Sequence, residues 1–391
     1  MKKRILLIVD EFFPIASAQA IRIHSFAKEL SQKYTLDILC GEEKRNDEDR
    51  IEGVNYITVR RPKESEIKKF LYYLIKFNGV ISKQTKKEKY DLVIITIPRY
   101  EFLYAISKFK TNQVPYILDI RDLLVTKNYE LILKRIIPKS LAKTIAAQFE
   151  KRKRKAVRKV IENSLCTTVA YPGLYTYYTQ EVPLEKEKIK LIPNGVDLSY
   201  FPKEDKDFSK DKLKILYIGN FHEKDLLPEI IEELSKNRKK EKLELIFVGE
   251  GRQKQEVERL IKEKSLEKQT HFLGKITHSE MYKIGKEADI GIILRDRNIP
   301  TLLPVSQVEY MAMGLPVIVN DYSELGDFVR ETNSGYIINN LNELNNLLYQ
   351  LLTKKEEFQS IGKKNREWIE KHGDRRKIAK EFEEKIVSKY I

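Results

Sequence analysis

A single carboxylate, Glu309, stands in a short apolar segment, PVSQVEYMAMGLPVIVN at 304–320. Ser306 and Glu309 have the S-x-x-E spacing of a capping box, in which both side chains satisfy backbone amides at a helix N-terminus. Gly314 then predicts a left-handed helix stop, and Pro316 prevents the helix from continuing. The alternative is a nucleotide site, because a helix N-terminus attracts phosphate and a carboxylate accepts hydrogen bonds from ribose hydroxyls. This segment alone leaves both interpretations open.

Three more loops in the second half of the chain have residue types that suit an anion. Glycine lets the backbone approach a ligand, and lysine or arginine supplies positive charge. The loops are GNFHEKD with Gly219 and Lys224, GEGRQ with Gly249, Gly251 and Arg252, and RDRNIPTLLP at 295–304. Any one of them is also an ordinary strand-to-helix turn, and no full G-x-G-x-x-G occurs, which disfavours a dinucleotide. Together, at the ends of strands of one domain, they predict a nucleotide-binding domain.

The first half has a charged turn of its own, in the sequence PYILDIRDLLV. Asp119, Arg121 and Asp122 lie within four residues, at the end of a predicted strand. One interpretation is a turn whose charges neutralise one another. The other is the edge of a site, where Arg121 binds a phosphate and a carboxylate accepts from a hydroxyl.

Strands that alternate with amphipathic helices must position these loops, and this pattern predicts parallel, doubly wound sheets. In the first half the predicted strands are 4–9, 35–40, 55–59, 91–97, 116–120 and 167–170. In the second half they are 213–218, 243–248, 270–273, 289–294, 316–320 and 336–338, with helices at 226–236 and 253–264. A helix after the first strand has one apolar face, formed by Ile23, Phe26, Ala27 and Leu30.

Two domains are expected from the length of 391 residues. The first spans 1–195, and a Pro-, Asp- and Lys-rich linker at 196–212 precedes the second, at 213–374. The last segment, 375–391, is predicted to be a helix with apolar Ile378, Phe382 and Ile386.

Composition is that of a globular protein, with 41% hydrophobic and 34% charged residues. The only two cysteines, Cys40 and Cys166, indicate a reduced, cytoplasmic compartment without disulfides. The apolar run at 5–9 is too short for a signal peptide, so we expect a buried first strand. No run of 18 uncharged apolar residues predicts a membrane span.

The net positive charge is confined to the first half. Residues 1–195 hold 38 of the 73 basic and 23 of the 58 acidic residues, which accounts for the whole net charge of +15. Two basic segments carry much of this charge, at 67–89 and at 134–159, where Leu141, Ile145 and Phe149 form a stripe. Each is either a solvated helix face over a core stripe or an amphipathic helix on an anionic membrane. Nucleic acid is a third possibility, but no helix-turn-helix, zinc-finger or RNP-like sequence supports it.

Metal, cofactor and hydrolase signatures are missing from the sequence. The five histidines are scattered without zinc-ligand spacing. The D-x-D pairs at 47–49 and 205–207 lie in hydrophilic loops, away from the end of a hydrophobic strand. No G-x-S-x-G or Walker A motif occurs. We therefore expect neither a metal nor a cofactor.

These motifs together resemble the retaining glycosyltransferases of family 4, over nearly the whole chain. KIKLIPNGVDLSYF at 188–201 is similar to the interdomain signature of the family, and VEYMAMGLPVIVND is similar to its donor-site helix. ILYIGNF, LIFVGEG, THFLGKI and ADIGIIL resemble successive strands of the second domain. PYILDIRD, with FFP…R at 12–22, resembles the branch that builds bacterial surface polysaccharides.

The resemblance implies the GT-B fold, in which two Rossmann-like domains face a central cleft and a C-terminal helix returns to the first domain. It also implies transfer of a hexosyl or N-acetylhexosaminyl unit, with retention and without a metal, from a UDP-sugar to a lipid-linked or saccharide acceptor. Glu309 matches the glutamate that contacts the ribose. The implied donor-site residues are Gly219, Asn220, Lys224, Gly249, Gly251, Arg252, Ile276, Thr301, Leu303, Pro304, Val305, Ser306 and Glu309. Those on the acceptor side are Ala16, Ser17, Arg22 and Arg99, and those expected to take part in catalysis are Asp119, Arg121, Asp122 and Lys224.

Several positions depart from the family pattern. Thr301 stands where the first glutamate of E-x7-E is expected, and Asn220 stands where an arginine is common. The expected lysine is displaced by one residue to Lys224, which leaves Asp225 in its place, and Ser306 replaces another lysine. These departures motivate an alternative, a catalytically degraded subunit that binds a nucleotide sugar or a partner transferase. A nucleic-acid-binding protein is the distant alternative.

Overall fold

The computed structural model describes residues 2–13, 18–42, 50–60, 72–97, 114–121, 138–180, 186–203, 211–298, 303–354 and 356–391. The chain divides into two compact units. Unit 1 comprises residues 1–194 and 376–391, and unit 2 comprises residues 195–375. The chain therefore leaves unit 1 once and returns to it near its end.

A parallel sheet forms the centre of unit 1. Its strands are β1 (Arg4–Phe13), β2 (Thr35–Glu42), β3 (Asn55–Arg60), β4 (Leu92–Ile97), β5 (Tyr116–Ile120), β6 (Cys166–Val169) and β7 (Ile189–Leu191). Their order in the sheet is β3-β2-β1-β4-β5-β6-β7, and every pairing is parallel. The order reverses between β1 and β4, as in a doubly wound sheet. The predicted sheet type is confirmed, but β7 was missed because it has only three residues and one of them is Lys190.

The helices of unit 1 cover this sheet. They are α1 (Ala18–Lys33), α2 (Asn78–Lys87), α3 (Lys139–Glu162) and α4 (Pro172–Gln180). On α1 the four residues predicted to form an apolar face, Ile23, Phe26, Ala27 and Leu30, are all buried. Both cysteines are buried and free, and burial raises the pKa of the Cys166 thiol to about 11.

The apolar stripe on α3 is not a core stripe. Leu141 is 50% exposed and Ile145 is 39% exposed, so the first of the two interpretations of this segment does not hold for them. The buried face of α3 is formed instead by Ala142, Ala146 and residues further along the helix, Val157, Val160 and Ile161. The side chain of Phe149 and residues 67–71 and 134–137 of the two basic segments lie outside the described residues.

Unit 2 has a second parallel sheet. Its strands are β8 (Leu213–Ile218), β9 (Leu243–Val248), β10 (Thr270–Gly274), β11 (Ile290–Ile293), β12 (Val317–Asn320) and β13 (Gly335–Ile338). The order is β10-β9-β8-β11-β12-β13, so the direction of winding reverses between β8 and β11. All six predicted strands are present, and the apolar runs of β8 and β9 are buried because helices cover both faces.

The helices of unit 2 are α5 (Leu227–Ser235), α6 (Lys254–Glu263), α7 (His278–Glu287), α8 (Val305–Ala312), α9 (Ser323–Thr332), α10 (Asn342–Leu351) and α11 (Glu356–Trp368). The last, α12 (Arg375–Lys385), carries the chain back into unit 1. Short 3-10 turns occur at Lys186–Lys188, Leu198–Tyr200, Glu223–Asp225, Lys240–Lys242, Glu267–Gln269 and Val387–Lys389. Single π-helical turns occur at Tyr72–Phe77 and Ile369–Gly373.

The C-terminal segment is fixed within unit 1 by stacking and by charge. The Phe382 ring stacks on Phe26 with centroids 4.2 Å apart. Glu383, only 1% exposed, accepts a 2.7 Å hydrogen bond from the Tyr34 hydroxyl and forms an ion pair with Lys33. Burial and this contact raise the pKa of Tyr34 to about 12, so it donates throughout the neutral range.

The segment predicted as a linker is in part an ordered element of unit 2. The Val196 amide donates to the Gly373 carbonyl at 2.9 Å, and the Arg375 amide donates to the Val196 carbonyl at 2.9 Å. Phe201 is 1% exposed and packs in the core of this unit. Unit 2 therefore begins at Gly195, and 196–203 belong to it; 204–210 lie outside the described residues.

Among the described residues, no helix is long and apolar enough to cross a membrane.

Candidate functional site

The start of α8 tests the capping-box interpretation of Ser306 and Glu309. The helix begins at Val305 with Pro304 at the N-cap, and none of the described side chains caps it. Ser306 is the second residue of the helix, so the capping-box interpretation is wrong. Glu309 is 7% exposed on the second turn, next to Tyr310. The carboxylate is thus placed in a buried position without serving the helix end.

The end of α8 follows the prediction. Gly314 has φ +67°, its amide donates to the Met311 carbonyl at 3.0 Å, and the Leu315 amide donates to the Tyr310 carbonyl at 2.9 Å. These two bonds define a Schellman motif, which is the glycine stop that the sequence indicated.

Tyr310 fixes α8 against the sheet at the point where the winding reverses. Its hydroxyl accepts a 2.7 Å hydrogen bond from the amide of Ile218, the last residue of β8. Its ring lies on Gly291 of β11, where an added Cβ would meet ring atoms at 2.6 Å. Because Tyr310 contacts both strands that flank the reversal, the first turns of α8 are held at the crevice where doubly wound sheets bind ligands.

The loops after β8 and β9 pack directly on each other. The Gly219 amide donates to the Val248 carbonyl at 3.0 Å, and the Phe221 amide donates to the Glu250 carbonyl at 3.2 Å. A Cβ on Gly249, which has φ +128°, would lie 1.8 Å from the Gly219 carbonyl oxygen. The glycines predicted to permit close approach to a ligand therefore permit close approach of these two loops.

A buried ion pair that the sequence analysis missed links the loops after β8 and β11. Arg295 donates to Asp225, and the two residues are 7% and 2% exposed. Asp225 also accepts from the His222 amide at 3.1 Å and caps the turn before α5. The Arg295 amide donates to Asn320 at 2.8 Å, and the Lys224 carbonyl accepts from the Asp296 amide at 2.9 Å. Burial lowers the pKa of Arg295.

A signal for this pair was present in the sequence. Asp225 was noted only as standing in place of an expected lysine, and Arg295 follows the last apolar residue of a buried strand. A carboxylate and a guanidinium at the ends of two strands that turn out to be neighbours are the natural partners for each other, since buried charges are paired. The adjacency of β8 and β11 was the missing information.

Most of the other predicted donor-site residues lie in these loops or at the start of α8, and Ile276 lies in the loop after β10. The half-buried ones are Gly219, Lys224, Ile276, Leu303, Pro304 and Val305, and the exposed ones are Asn220, Gly251 and Arg252. The amide of Leu303, one of the implied donor-site residues, donates to Glu324 of α9 at 3.3 Å. Thr301 lies outside the described residues.

In unit 1, the carboxyl end of β5 carries a buried cluster of charge. Asp119 is fully buried and accepts from Arg22 at 3.1 Å and from the Thr168 hydroxyl at 2.8 Å, both on Oδ1. Arg22 also donates to the carbonyls of Ile192 and Pro193 at 2.8 and 2.7 Å. Arg22, predicted to face an acceptor, is therefore occupied in tying α1 to the end of unit 1.

Arg121 is the second guanidinium of this cluster and is held differently. Its Nε lies 3.5 Å from Oδ2 of Asp119, and within the described part of the chain none of its three nitrogens has a hydrogen-bond partner. Burial lowers its pKa, and the nearby carboxylates Asp119 and Asp10 oppose that shift. The remaining predicted residues of this unit, Ala16, Ser17, Arg99 and Asp122, lie outside the described residues.

In the ranges that the structure describes, no three His, Cys, Asp or Glu side chains lie together as a metal site would require.

Two family models match the chain in succession. Glycosyltransferase Family 4 matches residues 19–200, and Glycosyl transferases group 1 matches residues 201–368. A comparison of the sequence with curated proteins gave no match.

Solved structures of similar fold cover nearly the whole chain. Sucrose-phosphate synthase from Thermosynechococcus elongatus has a TM-score of 0.75 at 17% identity, and the match covers 100% of this chain and 99% of that one. HepE of Anabaena, solved with UDP and glucose, has a TM-score of 0.72 at 14% identity, covering 99% and 100%. WaaG, a glycosyltransferase of lipopolysaccharide biosynthesis, has a TM-score of 0.70 at 12% identity, covering 96% and 98%. With these two parallel sheets and these family matches, the chain belongs to the family 4-type glycosyltransferases of the GT-B fold.

Proposed function

We propose that this glycosyltransferase transfers a hexosyl or N-acetylhexosaminyl unit, with retention, from a UDP-sugar to a membrane-associated or polysaccharide acceptor. The observation that carries the donor half is the position of Glu309. It is a buried carboxylate on a helix whose first turns are fixed at the switch point of a doubly wound sheet. Its carboxylate oxygens are hydrogen-bond acceptors, which is the chemistry that the hydroxyls of a ribose fit. HepE, solved with UDP and glucose, has the same fold and supports UDP as the nucleotide.

Unit 2 supplies the groups that stabilise the leaving diphosphate in this proposal. The N-terminus of α8 offers backbone amides and the positive end of a helix dipole. Lys224 and Arg252 carry positive charge in the loops after β8 and β9. Preorganised dipoles and charges of this kind are usually the largest catalytic contribution, so the proposed reaction needs neither a metal nor a cofactor.

Glu309→Ala is expected to weaken UDP binding by about 1–3 kcal/mol, which is the scale of removing a buried hydrogen-bond partner. Isothermal titration of the full chain with UDP measures this loss, and circular dichroism checks that the variant is folded. Glu331→Ala is the matched control, because Glu331 is exposed on α9 near the amino end of β13. A folded Glu309→Ala variant with the UDP affinity of the parent chain would remove the basis of the donor site.

We also propose that the protein works at the cytoplasmic face of a membrane and that unit 1 binds the acceptor. Leu141 and Ile145 are exposed on α3, one turn apart. Nine basic residues and two acidic ones lie on the same helix. Exposed apolar side chains beside a dense positive charge are the features of a helix that lies on anionic lipid. The basic segment that includes α2 is assigned the same role.

Replacing Leu141 and Ile145 together by glutamine is expected to lower partitioning onto vesicles containing phosphatidylglycerol at least about fivefold, or about 1 kcal/mol of lost apolar burial. Co-sedimentation measures the effect, and added salt should weaken the binding of the parent chain. Leu273→Gln, which removes an exposed leucine of unit 2, is the control. Equal binding of parent and double variant, or binding to neutral vesicles alone, would contradict membrane contact through α3.

Two observations favour a second candidate, a subunit that binds a nucleotide sugar without transferring it. Asp225 stands where the family pattern expects a lysine, and the Leu303 amide is already bonded to Glu324. Release of UDP by the isolated chain, tested with a panel of UDP-sugars and saccharide acceptors, would exclude this candidate.

A further inference from the structure

We propose that Arg121 binds a phosphoryl oxygen of a substrate, beside a substrate hydroxyl that donates to Asp119. This inference rests on the proposed function, since it names the chemistry of the ligand that unit 1 takes. It assigns to unit 1 an oxyanion site separate from the groups of α8.

The first argument is the state of the guanidinium. Arg121 is 8% exposed, and across the described residues Nε and both terminal nitrogens lack an acceptor. Burying a polar group without a hydrogen bond is unfavourable, and each such group calls for an explanation. Five N–H donors left unbonded on one side chain are too many for a purely structural arginine, so a ligand is the natural acceptor.

The second argument is the contrast with Arg22 in the same cluster. Arg22 donates to Asp119 Oδ1, to two carbonyls and to the side-chain oxygen of Asn194 at 3.2 Å. Asp119 Oδ1 is thereby satisfied, with Thr168 as a second donor. Asp119 Oδ2 is not: it is buried without a hydrogen-bond partner in the described chain, 3.5 Å from Arg121 Nε. Unsatisfied donors and an unsatisfied acceptor therefore lie side by side.

This juxtaposition selects the class of ligand. A planar guanidinium matches two oxygens of a phosphoryl group, and a charged acceptor offsets the burial of its charge better than a neutral one. A carboxylate oxygen next to it repels anionic oxygen but accepts from a hydroxyl. A phosphoryl group with a neighbouring hydroxyl, as in a sugar phosphate, satisfies both residues at once. Asp10 is the other carboxylate near Arg121, so two carboxylates balance the two guanidinium groups of the cluster.

Two substrates could supply such a group, the acceptor and the diphosphate of the donor nucleotide. The experiment therefore has two arms on the full chain and on Arg121→Gln. The first measures binding of glucose 1-phosphate, with glucose as the uncharged comparison, and the second measures binding of UDP. Lys28→Gln removes an exposed cation of α1 and is the matched control.

The expected result is that the parent chain binds glucose 1-phosphate more tightly than glucose and that Arg121→Gln weakens this binding at least tenfold. If Arg121→Gln loses affinity for glucose 1-phosphate alone, the phosphoryl group belongs to the acceptor. If it loses tenfold in affinity for UDP alone, the phosphoryl group belongs to the donor. Unchanged binding in both arms overturns the proposal. Should Arg121→Gln fail to fold, Arg121→Lys keeps the charge, and its loss of paired hydrogen bonds is expected to lower the same affinity about tenfold.

Failure of this inference and failure of the proposed function give different results. If the parent chain binds no UDP, the proposed function fails whatever Arg121 does. If UDP binds and depends on Glu309 while neither arm depends on Arg121, only the inference about unit 1 fails.

Discussion

Asp225→Ala is expected to lower the free energy of unfolding of unit 2 by about 3–5 kcal/mol, the range for leaving a buried charge without its partner. Asp225 neutralises Arg295 and caps the turn that leads into α5. Leu226, the next residue, has φ +48°, a left-handed conformation that is unfavourable for leucine and that the pair and cap hold in place. The loop after β8 should therefore lose its conformation together with the stability of the unit.

The single tryptophan makes this measurement specific. Trp368 belongs to unit 2, so its fluorescence during urea unfolding reports that unit. Asp327→Ala removes one carboxylate from an exposed pair with Arg330 and should change stability by about 0–1 kcal/mol. The double variant Asp225→Leu with Arg295→Met should recover part of the loss, because an apolar pair leaves no buried charge. A loss no larger than that of Asp327→Ala would mean that the pair does not hold the loops.

Gly249→Ala is expected to destabilise unit 2 by about 2–5 kcal/mol, combining overpacking with a left-handed backbone. Its Cβ would lie 1.8 Å from the Gly219 carbonyl oxygen and 2.9 Å from the carbonyl carbon, so backbone rather than a flexible side chain must move. The loops after β8 and β9 would separate, and UDP binding should fall with them. Urea unfolding and titration with UDP measure the two effects.

A second glycine of unit 2 allows the effect of overpacking to be separated from the effect of the left-handed backbone. Gly314 also has positive φ, +67°, but the nearest atom to an added Cβ is 3.6 Å away. Gly314→Ala should therefore show only the backbone effect, about 1–2 kcal/mol, and leave UDP affinity unchanged. Equal losses for the two variants would show that the contact between the loops is not tight.

The sheets were predictable because their signal is local. Runs such as LKILYI and LELIFV have five apolar or aromatic residues out of six, and the structure has strands there. The stop at Gly314 was equally local, since one glycine followed by proline suffices. β7 is too short to be recognised from its sequence. The order of strands within each sheet cannot be read from any single segment.

Features that depend on contacts between distant segments were not predictable. The spacing of Ser306 and Glu309 allows a capping box, but the helix starts at Val305 with Pro304 at the N-cap, so Ser306 is already inside it. The stripe on α3 has the period of a core face, but Ala142 and Ala146 take the buried side and leave Leu141 and Ile145 outside. Periodicity identifies an apolar stripe without identifying what covers it.

The same distinction holds for the candidate sites. Arg121 was singled out because three charged residues stand at the end of one strand, and this local signal led to a residue with unsatisfied donors. Asp119 was singled out with it, and Arg22 by the family resemblance, but their partners come from residues as distant as Ile192 and Thr168, which occupy them internally. The partnership of Asp225 with Arg295, 70 residues apart, required knowledge of the strand order.

The bridge between Val196 and Asp374 has a consequence for how this polypeptide can be divided. Both ends of unit 2 meet at one pair of backbone hydrogen bonds, and Arg375 reinforces it by donating to the Gly195 carbonyl at 2.6 and 3.0 Å. Unit 2 thus has the topology of an insertion into a host domain, with its entry and exit side by side. A gene fragment encoding 195–375 would therefore encode a unit whose two ends are hydrogen-bonded to each other. Unit 1 could be made continuous by a short linker between residues 194 and 376.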